Sequence, residues 1–293
     1  MSEPHPMRRE PWRTLLTVIR CPLCRARLEP DERSLRCPRR HTFDIAKHGY
    51  VSLLSGGRRG ASADTAAMVQ ARTDFLEAGH YAPLARTLAR TVASLGPEDG
   101  TLLDAGAGTG YYLAAALEAL PGATGLGLDA SPYALRRAAR AHPRAGAASW
   151  DVWKPFPVQD GGIDTVLNVF APRNGAEFHR VLRPGGALAV VTPTGRHLGE
   201  LRREVGLLEV DPDKEERLER TLAAHFERER TEPLEYTVEL SGRDVENLAS
   251  MGPAARHVRP EELRERVAAL GDRVSVTASF GVSVYRRAAT APR

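Results

Sequence analysis

Three cysteines and a histidine, Cys21, Cys24, Cys37 and His41, are spaced C-x2-C-x12-C-x3-H. Thiolates and an imidazole are soft ligands, and four of them at this spacing suit one tetrahedral zinc ion. Zinc is preferred to iron for three sulfurs and one nitrogen. Thiols in a reduced protein are more often inert core residues, but here the pattern uses every cysteine of the chain. Four protein ligands leave no open coordination position, so the metal would fold the segment rather than catalyse. Pro22-Leu23 supplies the first ligand turn and Pro38-Arg39-Arg40 the second.

A second cluster is Thr101-Leu-Leu-Asp104-Ala-Gly106-Ala-Gly108-Thr109-Gly110, an apolar strand, a carboxylate and three alternating glycines that open a helix. Such a turn brings backbone close to a ligand. Asp129 follows Gly110 by 19 residues, at the end of the next apolar run, where a carboxylate can accept both hydroxyls of a ribose. Dinucleotide enzymes use similar turns, but they favour GxGxxG without the preceding acid, which would repel a pyrophosphate. Asp104 suits the amino-acid end of S-adenosylmethionine instead. Asp151, ending the third run, is placed either to bond an adenine amino group or to cap a turn.

The elements that must carry these residues alternate. Apolar runs at 101–104, 125–129, 147–151, 163–169 and 187–192 are separated by helical stretches such as 111–119 and 132–141. That β-α repetition predicts a parallel sheet covered by helices on both faces. A helical region spans 64–95, interrupted at Gly79 and Pro83. Leu218, Leu222 and Phe226 at four-residue spacing predict another helix, and Pro260 opens one carrying Leu263, Val267 and Leu270. Residues 234–240 and 274–285 alternate with the period of antiparallel strands. The organisation read from this pattern is a zinc module over 15–54, ending in a strand-like 50–54, then a linker of Gly, Ser and Arg over 55–63 expected to be mobile, and an α/β domain over 64–293.

At 293 residues, 42% hydrophobic and 27% charged, the chain can build one large core and a small one. No apolar run reaches the length of a membrane span, and residues 1–20 lack the stretch of a secretory signal, so a cytoplasmic location is expected. Residues 1–60 hold thirteen Lys and Arg against six Asp and Glu, while the remainder carries a net −3. A cationic zinc module suits a phosphate backbone. Arg39, Arg40, Lys47, Arg58 and Arg59 are the candidate contacts, although each alone is an ordinary solvated charge.

With both motifs, the sequence resembles the bacterial 23S ribosomal RNA guanine-N1 methyltransferases, most closely their tylosin-resistance-type branch. The resemblance runs through His41-Thr-Phe-Asp, Gly49-Tyr-Val-Ser-Leu-Leu, Asp64-Thr-Ala-Ala-Met-Val-Gln-Ala-Arg, Gly79-His-Tyr-Ala-Pro, Asn168-Val-Phe-Ala-Pro-Arg-Asn, Leu182-Arg-Pro-Gly-Gly, Arg196-His-Leu and Met251-Gly-Pro. It implies a class I, Rossmann-like S-adenosylmethionine-dependent methyltransferase domain behind a small zinc-binding module. It further implies Tyr81, Gly108, Thr109 and His197 as donor contacts, with Cys21, Cys24, Cys37 and His41 on zinc. The family acts on one guanine of a hairpin near the peptide exit tunnel, as a homodimer, and its tylosin-type members confer macrolide resistance. Thr109 stands where some relatives carry Glu, and Asn168 where the sister branch carries Arg.

The loop 168–174 is expected at the carboxyl end of the fourth strand, where α/β sheets place substrates. The hypothesis is that Asn168 and the backbone near Ala171-Pro172 hold the guanine edge; the plainer alternative is that Asn168 merely caps its strand. A small-molecule methyltransferase and a catalytically silent RNA-binding assembly factor are the other functions compatible with these motifs.

Overall fold

The computed structural model describes residues 11–54, 64–205, 219–252 and 259–288. Arg58 and Arg59, with the whole expected linker, lie outside them, as does Leu218.

Seven strands form one mixed sheet. β4 (Thr101–Ala105), β5 (Thr124–Asp129), β6 (Ala145–Ser149), β7 (Ile163–Val169) and β8 (Leu182–Pro193) run parallel. The long strands β9 (Phe226–Ser241) and β10 (Arg273–Arg287) complete the order β6-β5-β4-β7-β8-β10-β9, with β10 antiparallel to both neighbours. β4, β6 and β7 are buried along their whole length, as strands covered on both faces must be. Alternate residues supply the two faces. Leu102, Leu167 and Ala189 join one core, while Leu103, Val166, Leu188 and Val190 join the other.

The first core lies beneath α2 (Ala66–Glu77), α3 (Ala82–Ala93), α4 (Tyr111–Glu118), α7 (Gly199–Val205), α8 (Gly242–Ser250) and α9 (Pro260–Ala268). On the opposite face the cover is α6 (Gly175–Val181) together with the N-terminal segment itself. Trp12, Leu15, Val18 and Ile19, on and just after α1 (Trp12–Val18), share a core with Leu126, Leu128 and Val166. A Cβ at Gly146 of β6 would stand 2.4 Å from Leu15 Cδ1. α1 therefore lies directly on the strand.

Behind α1, β1 (Glu29–Asp31), β2 (Ser34–Arg36) and β3 (Thr42–Asp44) form an antiparallel ribbon. It is stitched to the sheet at several points. Arg25 donates to the carbonyls of Phe156 and Val158, both at 2.7 Å, and Val51 pairs with Ala148. Among the described residues, the N-terminal segment from Trp12 onward shares its core with the α/β part.

Several elements differ from the sequence reading. The third strand is Ala145–Ser149 rather than 147–151, because Asp151 starts a turn in which its carbonyl accepts the Lys154 N–H and its carboxylate the Trp153 N–H. Phe226 opens β9 instead of closing a helix. Within 50–54 only Val51 makes bridge pairs. Among the described residues no helix is long and apolar enough to cross a membrane. α5 (Pro132–Ala138) starts at the edge of the cavity described next, with Ser131 accepting the Ala134 N–H as its cap.

Candidate functional site: a zinc ribbon and a cofactor cavity

The ligand atoms of Cys21, Cys24, Cys37 and His41 lie within 4.8 Å of one another. Cys21 and Cys37 sulfurs stand 3.4 and 3.5 Å from His41 Nδ1, and Cys24 Sγ is 3.6 Å from Cys37 Sγ. Zinc at about 2.3 Å from sulfur and about 2.0 Å from nitrogen requires tetrahedral edges of roughly 3.5–3.8 Å, so the cluster fits the ion. The N–H groups of Leu23 and Cys24 approach Cys21, and those of Arg39 and His41 approach Cys37. Such donors favour thiolates. Arg40, at φ 66°, makes the tight turn between Cys37 and His41.

At the carboxyl ends of β4 to β8 a cavity of about 790 Å³ opens. Tyr81, Asp104, Gly106, Gly108, Thr109, Asp129, Asp151 and His197 all line it. Gly110 and Asn168 do not. A Cβ on Gly110 would meet Ala138 Cα and Ala141 Cβ at 2.9 Å, so this glycine lets α4 close on the α5 region. Gly106 likewise makes room for Ala171, whose Cβ would be 2.5 Å away. Two of the three glycines therefore serve packing.

Asp129 accepts the N–H groups of Gly108 and Ser131, both at 2.8 Å, which fixes its carboxylate at the cavity wall with lone pairs to spare. Asp104 is 1% exposed and its Oδ1 has no protein partner. Burial, and then the charge of Asp129, push its carboxyl up to about 7. Tyr112 Oη and Trp150 Nε1, on the same wall, are also buried without partners. Asp151 accepts the Trp153 N–H at 3.0 Å while bordering the cavity, so the turn and ligand readings are compatible.

Tyr81 and His197 form a pair across the cavity, with Oη and Nε2 3.1 Å apart. His197 Nδ1 accepts the Ser279 N–H at 3.2 Å, so the ring proton belongs on Nε2 and is donated to Tyr81. Burial, then the charge of Arg202, bring the imidazole down to about 4, which keeps it neutral at pH 7. Tyr81's own O–H is left as a donor on the cavity wall. An unpartnered carboxylate, a free hydroxyl donor and a ribose-type acceptor match the ammonium, carboxylate and diol of S-adenosylmethionine.

Asn168, 0% exposed, sits behind that wall. Its amide donates to the carbonyls of Pro172 (2.9 Å) and Ala105 (3.3 Å). It ties the loop after β7 to the end of β4 instead of presenting an edge to substrate. Every residue of β7 is buried because both faces of the strand are covered, so position 168 lies in the interior and not on the cavity lining.

Among the expected RNA contacts, Arg39, Arg40 and Lys47 are exposed on the ribbon. Sequence reasoning missed their neighbours. Arg136 and Arg140 are exposed on and just after α5, and Arg140 Nη2 lies 3.1 Å from His48 Nδ1. Partial burial, then Arg140, Lys47 and Arg136, hold the His48 imidazole below its ordinary value. The i, i+4 spacing of Arg136 and Arg140 was the available signal. Also missed was Arg72, which lines the cavity, pairs with Asp64 at 2.5 Å and donates to the Met251 carbonyl at 2.7 Å.

A nucleotide-type cavity at the carboxyl ends of this 3-2-1-4-5-7-6 sheet, with an acid before the glycine turn, defines a class I methyltransferase, here carrying a zinc ribbon. Comparison agrees on both parts. A zinc-ribbon family model described as RlmA, N-terminal, matches residues 19–56, and a methyltransferase domain model matches 102–186. The 23S rRNA (guanine(748)-N1)-methyltransferase of Streptomyces fradiae is 47% identical over 94% of this chain and 98% of its own. A Micromonospora griseorubida protein, provisionally named a 23S rRNA (guanine-N1)-methyltransferase, is 49% identical over 93% of this chain and 98% of its own. A Bacillus subtilis protein with the same provisional name is 35% identical over 64% and 68%. The chain belongs to the 23S rRNA (guanine-N1)-methyltransferase family.

Proposed function

We propose that this protein methylates N1 of a guanine in 23S ribosomal RNA, at the position equivalent to 748. The observation that carries the reading is the end-to-end match to the Streptomyces fradiae enzyme, which spans ribbon and cavity alike. When bound, S-adenosylmethionine supplies an electrophilic methyl group on a sulfonium. Asp104 would neutralise its ammonium, Tyr81 would donate to its carboxylate, and Asp129 would accept from its ribose. Asp151 would stand at the adenine end. Neutral His197 holds the Tyr81 hydroxyl in orientation, and Asn168 holds the 170–173 loop against β4.

Guanine N1 lies on the Watson–Crick edge, so the base must be unpaired or extruded to be reached. Arg39, Arg40 and Lys47, continued by Arg136 and Arg140, would grip phosphates and position the hairpin. Arg58 and Arg59 are proposed to add to this grip. Cytoplasmic action suits a ribbon whose three thiols are free and must stay reduced to hold zinc. A homodimer is the proposed working form, supported by the family resemblance, and sedimentation of the zinc-loaded protein tests it. Resistance to tylosin-type macrolides would follow from methylation in the exit tunnel.

The test is incubation with unmodified 23S rRNA and labelled donor, then primer extension. A methyl on N1 blocks base pairing, so reverse transcriptase stops one nucleotide before the mark. A stop one nucleotide 3′ of position 748 is the expected result; label incorporation without any stop would refute N1 as the acceptor.

A further inference from the structure

Three large hydrophobic side chains are exposed among the described residues, and two of them, Trp153 (65%) and Phe170 (45%), line the same cavity. We propose that Phe170 and Trp153 are the stacking surfaces that receive the extruded guanine, a role that rests on the rRNA reading above.

Phe170 is built as a fixed platform. It follows β7 directly at φ 52°, a conformation that a bulky side chain adopts only when its surroundings impose it. Here they do. Asn168 clamps Pro172, and Ala171 fills the space left by Gly106. The Phe170 ring lies on a bed of Phe280, Tyr112 and Tyr81, at centroid distances of 5.7, 6.2 and 6.4 Å. Its remaining surface is bare toward the cavity. Trp153 stands on the turn after β6, held through its N–H to Asp151 Oδ1 at 3.0 Å. Among the described residues the indole joins no aromatic pair, and it is 65% exposed.

Sheet order sets Phe170 apart from the strand-end carboxylates: it follows β7, on the far side of β4 from β5 and β6, which lead to Asp129 and Asp151. Trp153 shares its turn with Asp151 and bounds the cavity from the β6 side. The chemistry suits a purine. Aromatic rings grip a base by its faces and leave its edge, where N1 lies, unobstructed. A hydrogen-bonding clamp on that edge would compete with the acceptor atom itself.

The experiment uses the full zinc-loaded chain and two hairpin transcripts spanning position 748 of 23S rRNA, one intact and one abasic at that guanine. Wild-type protein should bind the intact hairpin roughly tenfold tighter or more. Phe170→Ala and Trp153→Ala should each weaken intact-hairpin binding about five- to hundredfold and leave abasic binding unchanged. Phe170→Tyr and Trp153→Phe should restore it. Donor affinity by calorimetry should stay within about twofold in all four variants, which also shows that they are folded. Survival of the guanine-to-abasic ratio in both alanine variants overturns the proposal, as does a parallel fall in donor affinity. Primer extension on wild-type reactions separates the two levels. A stop one nucleotide 3′ of position 748 with a surviving ratio removes the clamp alone, whereas no stop removes the rRNA reading with it.

Discussion

In the ribbon, Cys21, Cys24, Cys37 and His41 turn their ligand atoms toward one another, so one ion satisfies all four. In the cavity, Asp104, Tyr112 and Trp150 each bury a polar atom that no protein group meets. The first site is completed by a permanent constituent and the second by a transient one. On the proposed reading, groups that release a ligand every turnover are held by the surrounding fold: Asp129 by two amides, His197 by Ser279, and the 170–173 loop by Asn168. Ribbon residues can instead rely on the metal itself, because they never need to stand without it.

The sharpest way to break this contrast is to remove the metal. Chelation, or Cys37→Ser, should lower the thermal midpoint by about 10 °C or more, since structural zinc contributes directly to folding. Because ribbon and sheet share one core, calorimetry should show a single broadened transition; two independent transitions would contradict the shared packing.

Asp104→Asn should have the opposite signature. Donor affinity should fall about ten- to hundredfold through loss of a charge-assisted contact, while the ligand-free protein stays as stable or becomes more so at pH 8. Asp104 has its carboxyl raised from an ordinary 3.8 to about 7, so the folded state holds the proton more tightly and stability is lost as the pH rises between these values. Binding of a cation beside it should therefore release a proton near pH 7, measurable by calorimetry in buffers of different ionisation enthalpy.

A smaller effect is expected at Tyr81→Phe, about tenfold in donor affinity, with no change in RNA binding. The supporting His197 sets a pH limit. Its pKa is lowered to about 4 from an ordinary value near 6.5, so the unfolded chain binds the proton more tightly. Its contribution is fully present above about pH 6.5 and is lost as the pH falls toward 4, which acid titration of the wild type and His197→Gln should separate.

The smallest change should come from Arg136→Gln with Arg140→Gln. Affinity for RNA should drop a few-fold, with a shallower dependence on salt, and donor binding should be untouched.

The cluster at Cys21–His41 and the acids at the strand ends were legible because each depends on short spacings or on the end of an apolar run. What could not be read depends on direction. Position 168 can be read as a substrate contact or as a strand cap, and only the cover on both faces of β7 puts it in the interior. Gly110 reads as part of a ligand cradle, yet it faces Ala138 and Ala141. The apolar positions Trp12, Leu15, Val18 and Ile19 have a helix's spacing, but nothing in that spacing says which surface they cover. Arg136 and Arg140 gain meaning only when the fold brings Lys47 and His48 beside them.

The seating of α1 on Gly146, with no room for even a methyl group between them, makes the N-terminal segment a jig rather than a tethered arm. If the ribbon grips RNA as proposed, its hold would stand at one fixed distance from the reaction chamber, so the reach between the two would be set by the fold and not by the flexibility of a linker.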